Sequence, residues 1–299
     1  MSVLMPFTVA TLVAANLWLW FLLVGRWRQG RALVPLEPRR PVPWTGLDVA
    51  AVALGYFLVS NIVVALMPAA GQPMVASGEA DAATDTTRTP ARLMGIAAVN
   101  LATLAAAIFW IRRRRRAEWA DLGFDRSRLS ADVRLGLAAF AVVSVPIYAM
   151  QAGLTQLTTP SEHPIVKAWQ ATSEPGWGLR LSSLFSAVLV APLAEEFLFR
   201  VVLQGWLESL ENDSWMQANG PSIAGAAIRS TPTRRRWSPV VLSSAIFALI
   251  HLPHGVVPLF FFALALGYLY QQTHRLWPSM VVHLCLNACT MAMLWMGPR

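Results

Sequence analysis

Charge is scarce in this 299-residue chain: only 13% of its residues are Asp, Glu, Lys or Arg, and lysine occurs once, at Lys167. With 56% of residues apolar, that composition excludes an ordinary soluble domain and points to a membrane protein. Cysteine is equally sparse. The only two, Cys285 and Cys289, stand four apart in one apolar run, which excludes a disulfide framework and suggests small packing residues rather than a metal or redox pair. The net charge of +8 is carried almost wholly by arginine. These arginines sit between apolar runs, so membrane topology accounts for them better than nucleic acid does. The signatures of the common intramembrane and zinc proteases are missing too. There is no H-E-x-x-H helix, no G-x-S-G serine site and no G-x-G-D aspartyl site.

What is present is a series of apolar runs. Eight are expected to cross the membrane: Phe7–Val24, Leu47–Met67, Leu93–Ile111, Leu135–Leu157, Leu181–Leu210, Pro239–His251, Val256–Tyr270 and Trp277–Met296. The late runs Pro239–His251 and Val256–Tyr270 fall short of the roughly 20 residues of a straight crossing. No positive charge precedes the first run, and no A-x-A site follows it, so it reads as an anchor helix rather than a signal peptide. Between the runs lie a Pro/Arg linker (Pro35–Trp44), loops at Pro68–Arg92 and Glu211–Ser238, and a segment at Thr158–Gly178 suited to the membrane surface. With the N-terminus outside, the inside loops hold Arg26 to Arg40, Arg112 to Arg134, Arg229 to Arg236, and Arg275. The outside segments hold only Arg88, Arg92, Lys167, Arg180 and Arg299. This excess predicts an all-α, polytopic membrane bundle of about eight helices with both termini outside and an intramembrane polar cavity. The organisation expected is an N-terminal three-span region, 1–134, with cytoplasmic Arg-rich loops, followed by a membrane domain, 135–299.

The fifth run carries the chemistry. Glu195, Glu196 and Arg200 fall within it, although a charge at bilayer depth costs about 2.5–3.5 kcal/mol on insertion scales. Glu196 and Arg200, at i and i+4, share a face and are expected to pair. Glu195 lies about 100° round the helix and is left free, next to the small residues Ala187 and Ala191. Pro192 frees the carbonyl of Val188 and is expected to kink the helix just before the acids. On spacing alone, a charge network that only orients helices remains an equal reading. Two further spans bring polar groups to depth. His251 ends the sixth, with Phe247 at i−4, and His283 and Asn287 share a face of the eighth. Three helices bearing such groups favour a common water-filled pocket. A carboxylate with an imidazole can take a proton from water, and an imidazole with an amide can donate to an oxyanion, so the chemistry available is hydrolysis. His163, His254 and His274 read as solvated interfacial histidines, and Asn16, Asn61, Asn100 and Gln151 as interhelical hydrogen-bond partners.

These residues also resemble a family. EEFLFR matches the EExxxR motif of the CAAX-processing and bacteriocin-processing (CPBP, or Abi) intramembrane proteases, which include the type II CAAX prenyl endopeptidases. FALIH matches their FxxxH motif and HLCLN their HxxxN motif, in the family's order, over about Leu135–Met296. The resemblance implies an intramembrane endopeptidase that hydrolyses a membrane-associated or CAAX-like peptide. In it Glu195 and His251 activate water and His283 and Asn287 hold the oxyanion, with Glu196, Arg200 and Phe247 supporting. It implies no cofactor, the alternative being zinc held by Glu195, His251 and His283. The partners implied are membrane lipid and a peptide or protein substrate, in a bacterial plasma membrane. The competing reading is a non-catalytic scaffold or bacteriocin-immunity-type protein that uses the same polar groups structurally. A small-solute transporter ranks behind both, because the sequence shows no internal repeat.

Overall fold

The computed structural model describes residues 4–37, 41–66, 89–157, 166, 169, 175–211, 237–252 and 255–296. These form eight helices, and among the described residues there is no strand. They are α1 (Leu4–Arg28), α2 (Gly46–Leu66), α3 (Thr89–Arg115), α4 (Leu129–Thr155), α5 (177–211), α6 (Ser238–Ile250), α7 (Val256–Thr273) and α8 (Leu276–Met296). Each covers one of the apolar runs to within two residues, and most extend beyond it where the ends reach polar residues. The loops expected at Pro68–Arg92 and Glu211–Ser238 lie mostly outside the described residues, as do the greater part of the Thr158–Gly178 segment, His163 and His254.

α3, α4, α7 and α8 are long and apolar enough to cross a membrane, and α2 and α6 are shorter apolar helices. The outward faces carry large apolar side chains such as Phe21, Phe57, Phe109, Leu189 and Phe261, as lipid as solvent requires. The chain is an integral membrane protein.

α4 packs along α8, and α6 along α7. Gly136 makes the first contact possible: a Cβ there would lie 2.6 Å from Val281 Cβ and 2.8 Å from the Pro278 carbonyl. α1 lies against α4 at a proline. Pro146 has no N–H for the Val142 carbonyl four residues back, and α1 supplies donors instead. Asn16 Nδ2 reaches the Ala141 and Val142 carbonyls at 2.6 and 3.1 Å, and Trp20 Nε1 reaches Val142 at 3.1 Å. Asn16 is therefore the interhelical partner its position suggested. Asn61 is not: it donates to Phe57 of its own helix at 2.7 Å.

The loops after α1, α3 and α7 meet at one end of the bundle. Arg275 is held by Glu37 and by Asp132, the latter at 2.7 Å, and Glu37 also takes Arg128 at 3.1 Å. The Leu276 N–H donates to the Gly123 carbonyl at 2.9 Å, and Trp277 Nε1 to the Asp125 carbonyl at 2.8 Å. Gly123 sits at φ +75° with Leu276 N 3.1 Å from where a Cβ would be, so both conformation and closeness call for glycine. Arg112–Arg116 stand at this same end, where Arg114 and Arg115 flank the buried Asp48 at 3.4 and 2.7 Å. At the other end Trp177 and Trp295 meet edge to face with the Arg180 guanidinium over both rings, placing indoles where a membrane interface favours them.

Candidate active site

α5 positions the acids, and it is not a plain α-helix. Trp177–Ser183 is α-helical, Leu184–Val190 π-helical, Ala191–Glu196 α-helical and Phe197–Gln204 π-helical again, before α geometry resumes. π turns are rare and often mark functional sites. Here Pro192 explains the first. The Ala191 N–H bonds back five residues to Ser186. On that register the next donor owed, to Ala187, would be Pro192's, and proline has none. The carbonyl left over is thus that of Ala187, not that of Val188 as α geometry predicts. Asn287 Nδ2 donates to it at 2.8 Å.

Carbonyls of the second π stretch are likewise met from outside α5. Ser243 Oγ donates to Phe199 at 2.9 Å and Trp44 Nε1 to Val202 at 3.0 Å. The first widened stretch is tied to α8, and the second to α6 and the segment before α2. In this way carbonyls of the helix find donors from its neighbours where it departs from α geometry.

The two glutamates differ as their spacing suggests. Glu196 and Arg200 are wholly buried, with Arg200 Nε 3.3 Å from Glu196 Oε2. The side chain of Glu195 keeps 27% of its surface exposed. His283, on α8, spans both acids: Nδ1 lies 3.0 Å from Glu196 Oε1 and Nε2 lies 3.6 Å from Glu195 Oε2. His251, at the end of α6, brings its Nε2 to 3.8 Å from Glu195 Oε1. Its Nδ1 lies 2.6 Å from the Phe247 carbonyl. Two imidazoles thus face the two oxygens of one half-exposed carboxylate.

The partners set the tautomers. A carbonyl only accepts, so His251 carries a hydrogen on Nδ1 and turns Nε2 toward Glu195. Glu196, ion-paired with Arg200, accepts from Nδ1 of His283. Phe247 packs against all of this: its ring is 4.5 Å from that of His251, edge-on to His283 at 6.2 Å, and beneath the Arg200 guanidinium at 5.5 Å. Phe262 closes the His283 ring from another side at 5.1 Å.

The structure therefore brings together Glu195, Glu196, Arg200, Phe247, His251 and His283. It places Asn287 one turn along α8 from His283, on the Ala187 carbonyl. Sequence reading passed over Ser243, whose Oγ lies 3.4 Å from Arg200 Nη1. Stepping back four residues from Phe247 finds it. His274, read as solvated, is instead 8% exposed and faces Glu208 at 3.7 Å. A turn with φ +52° folds it back onto α5.

A cavity of about 1040 Å³ lies beside the site, between α5 and α8. Leu189, Leu193, Met280 and Leu284 line its depth and Glu118, Asp125 and Arg126 its polar edge. Its walls are mainly apolar, and Glu195, His251 and His283 are not among its lining residues. Among the described residues no group of three or more His, Cys, Asp or Glu side chains is arranged to hold a metal ion. Both cysteines are free.

No curated protein and no solved structure matches the chain significantly. Residues 177–289 match the family model described as type II CAAX prenyl endopeptidase Rce1-like. That segment runs from the start of α5 into α8 and contains Glu195, His251, His283 and Asn287. The resemblance carried by the three motifs is the one this match bears out: the site-bearing part of the chain is Rce1-like, consistent with a CPBP-family intramembrane protease.

Proposed function

We propose that the protein is an intramembrane endopeptidase that hydrolyses a peptide bond of a membrane-associated or CAAX-like substrate, using water activated by Glu195 and His251. The observation that carries this reading is the convergence of two imidazole Nε2 atoms on the two oxygens of Glu195. The gaps of 3.6 and 3.8 Å suit a water or a substrate oxygen better than a direct bond.

The partners of each imidazole divide the work. His251 has only a neutral carbonyl at Nδ1, which leaves Nε2 as an acceptor beside Glu195. A water between them gives up its proton, and the hydroxide attacks the scissile carbonyl carbon. His283 is held by the Glu196 carboxylate at Nδ1. Its Nε2–H then donates to the oxyanion, joined by the Asn287 N–H not used by Ala187. The proton taken from water passes to the leaving amine as the C–N bond breaks. Arg200, Glu196 and Phe247 hold this arrangement without touching substrate.

No metal enters these steps. In the alternative, zinc held by Glu195, His251 and His283 would supply a Lewis acid and a metal-activated water. The reaction is placed in residues 135–299, with 1–134 in a supporting role. The setting proposed is a bacterial plasma membrane with both termini outside, so that the Arg-rich end faces the cytoplasm.

The test is cleavage of fluorogenic peptides, including a prenylated CAAX peptide and an unprenylated pool, with and without a strong chelator and beside Glu195→Ala. Cleavage that survives chelation and is lost in the variant supports the glutamate mechanism. Cleavage lost on chelation and restored by zinc overturns it in favour of the metal. Full activity of Glu195→Ala sinks both.

A further inference from the structure

The cavity between α5 and α8 lends no residue to the reaction proposed above, and its lining is sorted by depth. Trp277, Met280 and Leu284 recur at i, i+3 and i+7 on α8, a single face about 10 Å long, with Leu193 and Leu189 of α5 beside them. That face begins in the first turn of α8, at the Arg-rich end, and reaches the residue after His283. Leu189 is 48% exposed, so the deep end opens sideways onto the lipid-facing surface. The mouth is flanked by the indoles of Trp119 and Trp277, side chains that settle at headgroup level. A chamber apolar within and open to hydrocarbon along its side suits an acyl chain. Its mouth carries both signs of charge. Glu118 and Arg126 line it and are exposed, and neither side chain has an ion-pair partner among the described residues. Asp125 does not neutralise Arg126, because its carboxylate accepts from the Ser127 N–H and O–H at 2.8 and 2.9 Å. Arg112 adds a second guanidinium 4.1 Å over the Trp119 ring, and it too lacks an acid partner among the described residues.

We infer that this cavity binds one glycerophospholipid whose headgroup carries both a phosphate and a protonated amine, as phosphatidylethanolamine does. One acyl chain lies along Met280, Leu284, Leu193 and Leu189. The phosphate meets Arg126 and Arg112, and the amine meets Glu118. A chain that moves from bilayer to cavity exchanges one hydrocarbon setting for another, so its burial selects little between lipids. The headgroup selects, and guanidinium is the side-chain group best matched to phosphate. Arginines alone would favour an anionic lipid. The carboxylate beside them repels a further negative group and attracts an ammonium, which turns the preference to the zwitterion. The site stands whether or not the protein is a protease.

The test is native mass spectrometry of the full chain in detergent, titrated with phosphatidylethanolamine, phosphatidylglycerol or a long-chain alcohol of matching length. One phosphatidylethanolamine per protein should be held about 10-fold more tightly than either of the others. Arg126→Ala should weaken it about 10-fold. Leu284→Trp, which fills the deep end, should weaken both phospholipids alike. Glu118→Ala should still hold phospholipid but lose the preference for amine over glycerol. Glu118 and Arg126 are exposed, so their variants decide the matter even if Leu284→Trp fails to fold. Equal retention of the two phospholipids by wild type, or a preference that Glu118→Ala leaves intact, overturns the inference. So does an alcohol held as tightly as the phospholipid, which would make the phosphate idle. Soluble glycerophosphoethanolamine held as tightly would make the apolar depth idle and overturn it too, as would a wild type that retains no lipid.

Discussion

His283 Nδ1 lies 3.0 Å from Glu196 Oε1, and that contact decides which imidazole nitrogen meets Glu195. The neighbouring glutamates should therefore respond oppositely to the same change. Glu196→Gln leaves Arg200 as an uncompensated buried charge, and breaking such a pair costs about 3–5 kcal/mol. Its thermal midpoint in detergent should drop sharply. Glu195→Gln, at a half-exposed position, should hold its midpoint within a degree or two yet lose about 10²–10⁴-fold in cleavage rate. A scaffold would show no cleavage to lose, so both readouts together separate the two readings.

The contact of Asn287 with the Ala187 carbonyl is tied to Pro192, which lacks the N–H that carbonyl would take on the π register. Asn287→Leu alone should destabilise by roughly 1–2 kcal/mol. Combined with Pro192→Ala, which restores a backbone donor, the cost should shrink. A double-mutant cycle with zero coupling energy would contradict this account of the π turn.

Acid should loosen the loop end of the bundle. The Arg275 hydrogen bond, with the charges of Arg275 and Arg128, holds the Glu37 carboxyl below the usual range against its burial. Hydrogen bonds from Ser127 do the same for Asp125. A depressed carboxyl contributes stability that is complete above its unfolded value and lost as pH falls through its folded value. Thermal stability in detergent should thus be flat near neutrality and decline once pH drops below the ordinary carboxylate range. Glu37→Gln should lower the plateau and flatten the decline.

Gly136→Ala should force α4 away from α8, because the added methyl meets Val281 Cβ and the Pro278 carbonyl, one of them backbone. Overpacking of this kind costs about 1–3 kcal/mol. A circular-dichroism melt of the purified variant measures it, and a midpoint equal to wild type would mean the helices have slack.

The groups on α-helical stretches were legible in the sequence. A stride of four pairs Phe247 with His251 on α6 and sets His283 and Asn287 on one face of α8. It also pairs Glu196 with Arg200, although Arg200 stands in a π turn, since that pair spans its first residues. The stride fails in describing α5 as a whole, because it presumes 3.6 residues per turn and two stretches of α5 run wider. Nothing local announces this; only Pro192 hints at it, and the freed carbonyl was assigned one residue late. Long-range pairings were hidden for another reason. His274 is buried by Glu208, 66 positions earlier, and Asp48 by arginines at the far end of α3, partners no periodicity connects. The eight apolar runs, by contrast, declared themselves, since a bilayer leaves a helix little choice of composition.

The widened turns of α5 also change what a deletion would mean. A π turn is an α-helix carrying one extra residue. Removing a single residue between Leu184 and Val190 would therefore take out the extra residue and return that stretch to α geometry, with the parts on either side keeping their facing. With 191–211 kept in place by Trp44, Ser243 and Gly267, Trp177 and Arg180 would stay beside Trp295, and the change would fall on the widened turn and on the Ala187 carbonyl that Asn287 meets. In this helix a widened turn absorbs a change of length, and a lineage that lost one residue here would keep both its motif and the face it turns to the membrane.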